Sequence, residues 1–197
     1  MEPLLEQSLR DRDFSGEDLT GIRADHTRFL SCGFEDTLFE DCHFTDCVFR
    51  FCEFSGAALR RCELVNCTFE SCRIFASDFR DCKMLGTAFR DCTVTGLQIQ
   101  GGNWAYTALQ GLDLSHCDLS GVRLDGADLS GCDLRQTRFS GCSMRETVLS
   151  QADLRQADLR GADLWGTDLR TARIQGTRID LAEAVRLAEQ SGCLVEV

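Results

Sequence analysis

Several residue types that carry out chemistry are scarce: the 197-residue chain has one lysine, Lys83, one tyrosine, Tyr106, and three histidines, His26, His43 and His116, and the histidines are scattered. No nucleophile stands with a base and an orienting group at a recognisable spacing, which argues against an enzyme. The thirteen cysteines include no CxxC pair, and tetrahedral ligand spacing is absent, so neither a metal site nor any other cofactor is implied. No apolar run approaches membrane-spanning length. The start, Met1-Glu2-Pro3-Leu4-Leu5-Glu6, lacks a basic region and an apolar core, so no secretory signal is expected and the chain is read as cytoplasmic. Bases are outnumbered, 21 against 32 acids, for a formal net charge of -11. Phosphate contact needs a basic face, so direct binding to nucleic acid is disfavoured. Solubility is the commoner reason for such a low isoelectric point.

What is present is a five-residue beat that never changes phase. Every fifth position from Leu9 to Ile179, 35 in succession, is apolar, with Ala24 the only weak member. Two residues before each beat runs a column of small side chains, and it holds twelve of the thirteen cysteines; only Cys193 lies outside it. A period of five fits neither the helix period near 3.6 nor the strand period of 2, and a fixed short period implies a solenoid. The cysteines are read as small core residues. Stacked pairs could approach disulfide distance, but in a cytosol they would stay reduced.

The consecutive blocks Ala152-Asp153-Leu154-Arg155-Gln156, Ala157-Asp158-Leu159-Arg160-Gly161 and Ala162-Asp163-Leu164-Trp165-Gly166 resemble the pentapeptide-repeat family. That resemblance implies an all-β chain, a right-handed quadrilateral β-helix with four pentapeptides per square coil. Residues twenty apart should then stack. Phe29, Phe49, Phe69 and Phe89 form one such column, continued by Leu109, Leu129, Leu149 and Leu169, while Cys32, Cys52, Cys72 and Cys92 form another. At the strand spacing of about 4.8 Å, the repeats give about nine coils and a rod of roughly 42 Å.

Glycine recurs two residues after the beat, as at Gly56, Gly86, Gly121 and Gly161, where a tight corner calls for positive φ. The inward residues are mainly Phe with Cys from Phe29 to Phe89, and mainly Leu with Ala and Thr from Leu109 to Leu169. Between them Leu97, Gly102 and Leu112 occupy the small-residue column and Trp104 sits on the beat, which predicts a local irregularity absorbed by repacking. After Ile179 the spacing of Leu181, Ala184, Val185 and Ala188 predicts a short α-helix, with Asp180 and Glu183 as a capping box and Gly192 as its stop. The chain is thus divided into a lead-in at 1–8, a β-helix at 9–179, and a capping helix and tail at 180–197. An apolar cap on a solenoid invites a partner.

Within the family, the segment Asp81-Cys82-Lys83-Met84-Leu85-Gly86 and the ending Thr177-Arg178-Ile179-Asp180-Leu181-Ala182-Glu183-Ala184-Val185 look like those of the Qnr and MfpA type, which protects DNA gyrase. The resemblance implies a non-enzymatic acidic rod that imitates B-form DNA, with DNA gyrase or topoisomerase IV as partner, and resistance to quinolones or immunity to a natural-product poison as the outcome. It also implies a tail-to-tail homodimer, here through Leu181, Ala184, Val185, Leu187, Ala188, Cys193, Leu194 and Val195. Acids read as free, Glu35, Asp36, Glu40, Asp41, Asp46, Asp81 and Asp91, are the candidate gyrase-binding residues. Two chains would carry -22, twice the charge of one, or about one net charge per 4 Å, against one per about 1.7 Å for duplex DNA. Such a rod is a diluted mimic, and shape and specific contacts must supply the rest. Qnr proteins often carry loops that interrupt the repeat; here the beat is unbroken, as in the loopless MfpA-like form. The alternative is an interaction scaffold for another partner, with exposed Phe51, Phe75, Tyr106 and Trp165 as its contacts.

Overall fold

The computed structural model describes residues 4, 5 and 7–196, and in it residue i lies beside residue i+20 on each side of a four-sided coil. Strands are numbered in chain order. The first face stacks β1 (Leu4–Leu5), β4 (Arg23–Asp25), β7 (His43–Thr45) and β10 (Glu63–Val65). The second stacks β2 (Ser8–Arg10), β5 (Arg28–Leu30), β8 (Val48–Arg50), β11 (Thr68–Glu70) and β13 (Ala88–Arg90). The third is made of single bridged residues, Asp13 to Gly33 to Glu53 to Arg73 to Thr93. The fourth stacks β3 (Asp18–Thr20), β6 (Leu38–Glu40), β9 (Ala58–Arg60), β12 (Asp78–Arg80) and β14 (Gln98–Gln100). All pairing is parallel, and the result is the expected right-handed quadrilateral β-helix. Beyond Gln100 the columns continue as single bridges, for example Ala88 to Ala108 to Asp128 to Val148. Of the stretch read as a lead-in, residues 1–3 and 6 lie outside the described residues, and Leu4–Leu5 already pairs with Ala24 and Asp25.

The period of five has a local cause. In a strand of three residues only the middle side chain points inward, as in β8, where Phe49 is buried between half-buried Val48 and exposed Arg50. Two further residues make the corner. The first takes positive φ: glycine at many corners, but also nineteen non-glycine residues with φ between 48 and 62°, among them Asp41, Asn66, Phe51 and Tyr106. Asn and Asp tolerate this left-handed conformation better than most residues, whereas a β-branched residue resists it. Thr171 has no positive φ at its corner, and there the Gln151 N–H reaches the Thr171 carbonyl at 3.1 Å, one residue out of the usual offset of nineteen.

The second corner residue is the small one, and its chemistry is more than size. At many corners the beat carbonyl accepts the N–H of the residue three later, as Ala57 N–H bonds Phe54 O at 2.9 Å. At most positions where the column carries Cys, Ser or Thr, a beat carbonyl accepts a side-chain donor from the next coil, twenty-three residues on: Ser77 Oγ to Phe54 O at 2.7 Å, Thr87 Oγ1 to Leu64 O at 2.6 Å, Cys62 Sγ to Phe39 O at 3.4 Å. The interchange of Cys, Thr and Ser in the column therefore follows from a need for a compact donor against a buried carbonyl. Burial pushes the Cys82 and Cys132 thiols up to about 12, so they are donors rather than nucleophiles.

Inside, Phe29, Phe49, Phe69 and Phe89 stack with ring centroids 4.7 to 4.9 Å apart, the spacing of the strands that carry them. Neighbouring columns meet edge to face, as Phe49 and Phe54 do at 5.5 Å and 75°.

The junction at residues 91–120 is not absorbed by repacking alone. The ladder continues on the first face (Lys83 to Asn103 to Arg123) and the second, but the third and fourth faces have no bridge from Thr93 to Asp113 or from Gln98 to Asp118. The N–H groups of Asp91, Val94, Gly96, Ile99 and Gly101, which the repeat would direct to the next coil, have no backbone partner there. Leu97 and Leu112 stand in the small-residue column on these two faces, and both are buried. In these two stacked columns the neighbouring coils carry Cys, Ser, Thr or Ala, as at Cys92 and Cys132 beside Leu112 and at Ser77 and Cys117 beside Leu97; a leucine there is too large for coils at the normal spacing, so the coils part. Gly102 permits the opposite adjustment at the next corner, where a Cβ would lie 2.3 Å from Cys82 O.

The helix α1 (Leu181–Gln190) closes the rod as expected, although not by a capping box. Asp180 makes no side-chain cap; its Oδ2 accepts the Gly161 N–H at 2.6 Å, and Glu183 pairs with Arg186 instead. Gly192 N–H bonds Glu189 O and Cys193 N–H bonds Ala188 O, both at 2.9 Å, with Gly192 at φ 88°. This is a Schellman stop. Arg186 and Arg170 strap the helix down through Leu164 O and Gln190 O, at 2.6 and 2.8 Å.

Replacing Phe69 by Ala removes a ring stacked on both sides, and urea titration should show a loss of about 3–5 kcal/mol. A melting curve unchanged by that substitution would mean the second-face column does not hold the coils together.

Candidate partner-binding surfaces

The acids singled out in the sequence are largely corner residues: Asp36, Asp41, Asp46, Asp81 and Asp91 all have φ of 52 or 53°. Their recurrence thus has a conformational reason beside any electrostatic one. Glu35 and Asp36 lie at one edge of the fourth face, Glu40 and Asp41 at the other, within a single coil. Asp81 shares the corner column of Asp41 two coils on, with Arg61 between them. Asp46 lies around the next corner, and Asp91 on the corner diagonally opposite Asp41. The seven therefore do not form one patch; the structure brings four of them together.

Two of those four are not free. Arg61 donates to Asp41 through Nε at 2.9 Å and to Glu40 through Nη2 at 2.9 Å, and it holds the Asp41 carboxyl below its ordinary value. Asp46 faces the His26 imidazole at 3.9 Å. Glu35, Asp36, Asp81 and Asp91 form no ion pair among the described residues. The arginine responsible stands twenty residues away in sequence, where linear inspection does not pair it.

The second half carries many acids too, but they serve the repeat. Asp153, Asp158 and Asp168 each accept the backbone N–H two residues later and bind the arginine there, as Arg155 Nη2 binds Asp153 Oδ2 at 2.6 Å. Those arginines hold the three carboxyls down to about 2. Such exposed pairs contribute little each. They offset much of the acidity of this half, so that more of the acids without an ion pair lie before residue 97 than after it.

At the other end lies an apolar surface. Leu181 is 82% and Leu194 95% exposed, with Val195 and Cys193 beside them. Ala184, Val185 and Ala188 are half-buried, and Leu187 packs against the core, so it faces inward rather than toward a partner. The four aromatics expected at the surface, Phe51, Phe75, Tyr106 and Trp165, are all more than half exposed. Among the described residues, no group of three or more His, Cys, Asp or Glu could hold a metal ion, and no helix is long and apolar enough to cross a membrane.

The depressed carboxyls fix an acid response. Because Asp153, Asp158 and Asp168 titrate near 2 when folded and near 3.8 otherwise, the stability they add is present above about pH 4 and lost as pH falls through about 2. Melting temperature should fall across that window, and less steeply in high salt; a flat profile from pH 4 to pH 2 would show the pairs to be absent in solution.

Two protein-family descriptions match the sequence, "Pentapeptide repeat region" over residues 42–119 and "Pentapeptide repeats (8 copies)" over 106–136 and 137–176. No curated protein matches it. Among solved structures, a trypsin-treated form of QnrB1, a plasmid-mediated fluoroquinolone resistance protein, is 24% identical, with 96% of this chain and 100% of that one covered and a TM-score of 0.52. HetL, a pentapeptide repeat protein involved in heterocyst differentiation regulation in the cyanobacterium Nostoc, is 20% identical over 88% of this chain and 87% of its own, with a TM-score of 0.27. A pentapeptide repeat protein of the Arabidopsis thaliana thylakoid lumen is 18% identical over 76% and 70%, with a TM-score of 0.33. With a repeat motif of one kind matched from residue 42 to residue 176 and wound into a square coil, the chain belongs to the pentapeptide-repeat family.

Proposed function

We propose that this protein is a non-enzymatic, DNA-mimicking rod that binds DNA gyrase, and topoisomerase IV as a second target, and shields the enzyme from quinolones or from a natural-product poison. The observation that carries this reading is the uneven charge of a rigid, loop-free coil. Glu35, Asp36, Asp81 and Asp91, which form no ion pair among the described residues, line its first half, while in the second half ten arginines offset most of the fourteen acids. A basic DNA-binding saddle would attract the first half, and the regular corners would supply shape. The fold likeness to QnrB1, itself a fluoroquinolone resistance protein, fits this reading.

In the same reading, residues 9–179 form the partner-binding rod and 180–197 the dimerising cap. Two copies joined through Leu181, Ala184, Val185, Ala188, Cys193, Leu194 and Val195 would bury the exposed leucines and double the length of the mimic. Occupying the DNA gate would either displace DNA or destabilise the drug-stalled cleavage complex. The unbroken beat favours inhibition of the enzyme alongside any protection. A scaffold for some other partner is the second reading, favoured by the four exposed aromatics.

Titration into a purified gyrase supercoiling assay, with and without a quinolone, tests the function. Rescue of drug-inhibited supercoiling, or inhibition of supercoiling without drug, supports the reading; no effect in either arm contradicts it. Charge reversal of Glu35 and Asp36 should weaken gyrase binding with little change in melting temperature, and unchanged affinity removes that edge from the interface. For the cap, Leu181→Asp should convert a dimer to a soluble monomer by light scattering. A dimer that survives it locates the interface elsewhere.

A further inference from the structure

Where the ladder fails on the third and fourth faces, the surface opens into a cleft of about 490 Å³. One lip is the run Thr95–Gln100, which includes β14, and the other carries Asp113, Ser115, His116, Cys117 and Asp118. Two features distinguish it from the grooves between other coils, and a third bears on what it would bind. Backbone groups on both lips lack the partners that every neighbouring coil supplies: the N–H of Gly96, Ile99 and Gly101 on one side, those of Asp113 and Asp118 on the other. Solvent reaches the core here, since Cys92 and Cys117 are the two column cysteines not fully buried. Finally, the cleft is lined by the carboxylates of Asp113 and Asp118 and by no arginine or lysine.

Unpaired edges facing each other across a gap are the arrangement that an added strand satisfies. The nearest cation to the lining carboxylates is Arg138, 3.3 Å from Asp118 Oδ2, while Asp113 is held only by Ser115. We propose that the cleft binds an extended, basic peptide segment of a partner protein, inserted as an extra rung between Gln98–Gln100 and Asp118–Ser120. The peptide backbone would take up the free N–H groups of both lips and would displace the Cys117 thiol from Leu97 O, which it reaches across the gap at 3.5 Å. Its apolar side chains would rest on Leu97, Ile99 and Cys117, which line the cleft, and its lysines or arginines would meet Asp113 and Asp118. The wedge formed by Leu97 and Leu112 holds the slot open without a partner. Occupancy of this slot does not depend on gyrase binding, because the unpaired acids of the first half lie elsewhere on the rod.

The probe is a fluorescein-labelled peptide of about six residues alternating lysine and valine, the length of a short strand, followed by anisotropy on the full chain carrying Cys193→Ser. Two controls change one property each: the same peptide N-methylated at alternate amides, which keeps the side chains, and its glutamate counterpart, which keeps the backbone. The lysine peptide should bind and should protect Cys92 and Cys117 from maleimide, as read by peptide mapping. N-methylation should weaken binding by about tenfold or more, through lost backbone hydrogen bonds, and the glutamate peptide should not bind. Leu97→Thr with Leu112→Cys, which restores the residue types of the column, should close the ladder, abolish binding and leave the protein at least as stable. Equal affinity for the N-methylated peptide would reduce the effect to charge alone and overturn the proposal. So would undiminished binding to the double variant, or no binding of the lysine peptide at low salt.

Discussion

Everything in this molecule depends on one constraint: side chains twenty residues apart must share the space between two coils about 4.8 Å apart. A ring stacked on a ring meets it, and so does a thiol or hydroxyl reaching the carbonyl of the coil beneath. Because each coil is braced only by its neighbours, an error at one level is not diluted by the rest of a globular core. It shows up as an opening at that level. Leu97 and Leu112 demonstrate the point, since two oversized residues in one column suffice to separate the backbones on two faces while the other two stay paired.

The same constraint determines where charge resides. With beat and donor columns turned inward, the remaining three of every five residues are left to the surface and the corners. Aspartate suits the corner because it accepts a left-handed backbone, and it suits the position before the beat because it caps the turn N–H. An acidic rod is therefore what the repeat tends to produce, and charge becomes functionally informative only where no arginine answers it. That condition separates Glu35, Asp36, Asp81 and Asp91 from Glu40 and Asp41, and from the Asp-Arg pairs of the second half.

Architecture was legible in the sequence because its determinants are periodic. The phase from Leu9 to Ile179 and the twenty-residue recurrence of Phe29, Phe49, Phe69 and Phe89 mark faces, coils and core together, and the stripe after Ile179 marks the helix. Less legible was what depends on partners across coils. Arg61 meets Glu40 and Asp41 only once the chain has completed a turn, and the role of Cys62 or Thr87 as a donor appears only once the beat carbonyls are seen to point inward. The capping box expected of Asp180 and Glu183 failed for a similar reason: Gly161, nineteen residues earlier, competes for the same carboxylate and wins. The leucines at 97 and 112 were visible as anomalies, but the size of their consequence was not, because whether a coil repacks or parts is decided by the rigidity of the levels above and below.

Amide hydrogen exchange resolved to individual residues tests most directly whether the rod is one continuous stack opened at a single level. Slow exchange at Phe54, Leu64, Ile74, Leu124 and Phe139, together with fast exchange at Val94, Gly96 and Ile99, is the result this account predicts. Uniform protection through residues 91–120 would contradict it, showing that the coils close there despite Leu97 and Leu112.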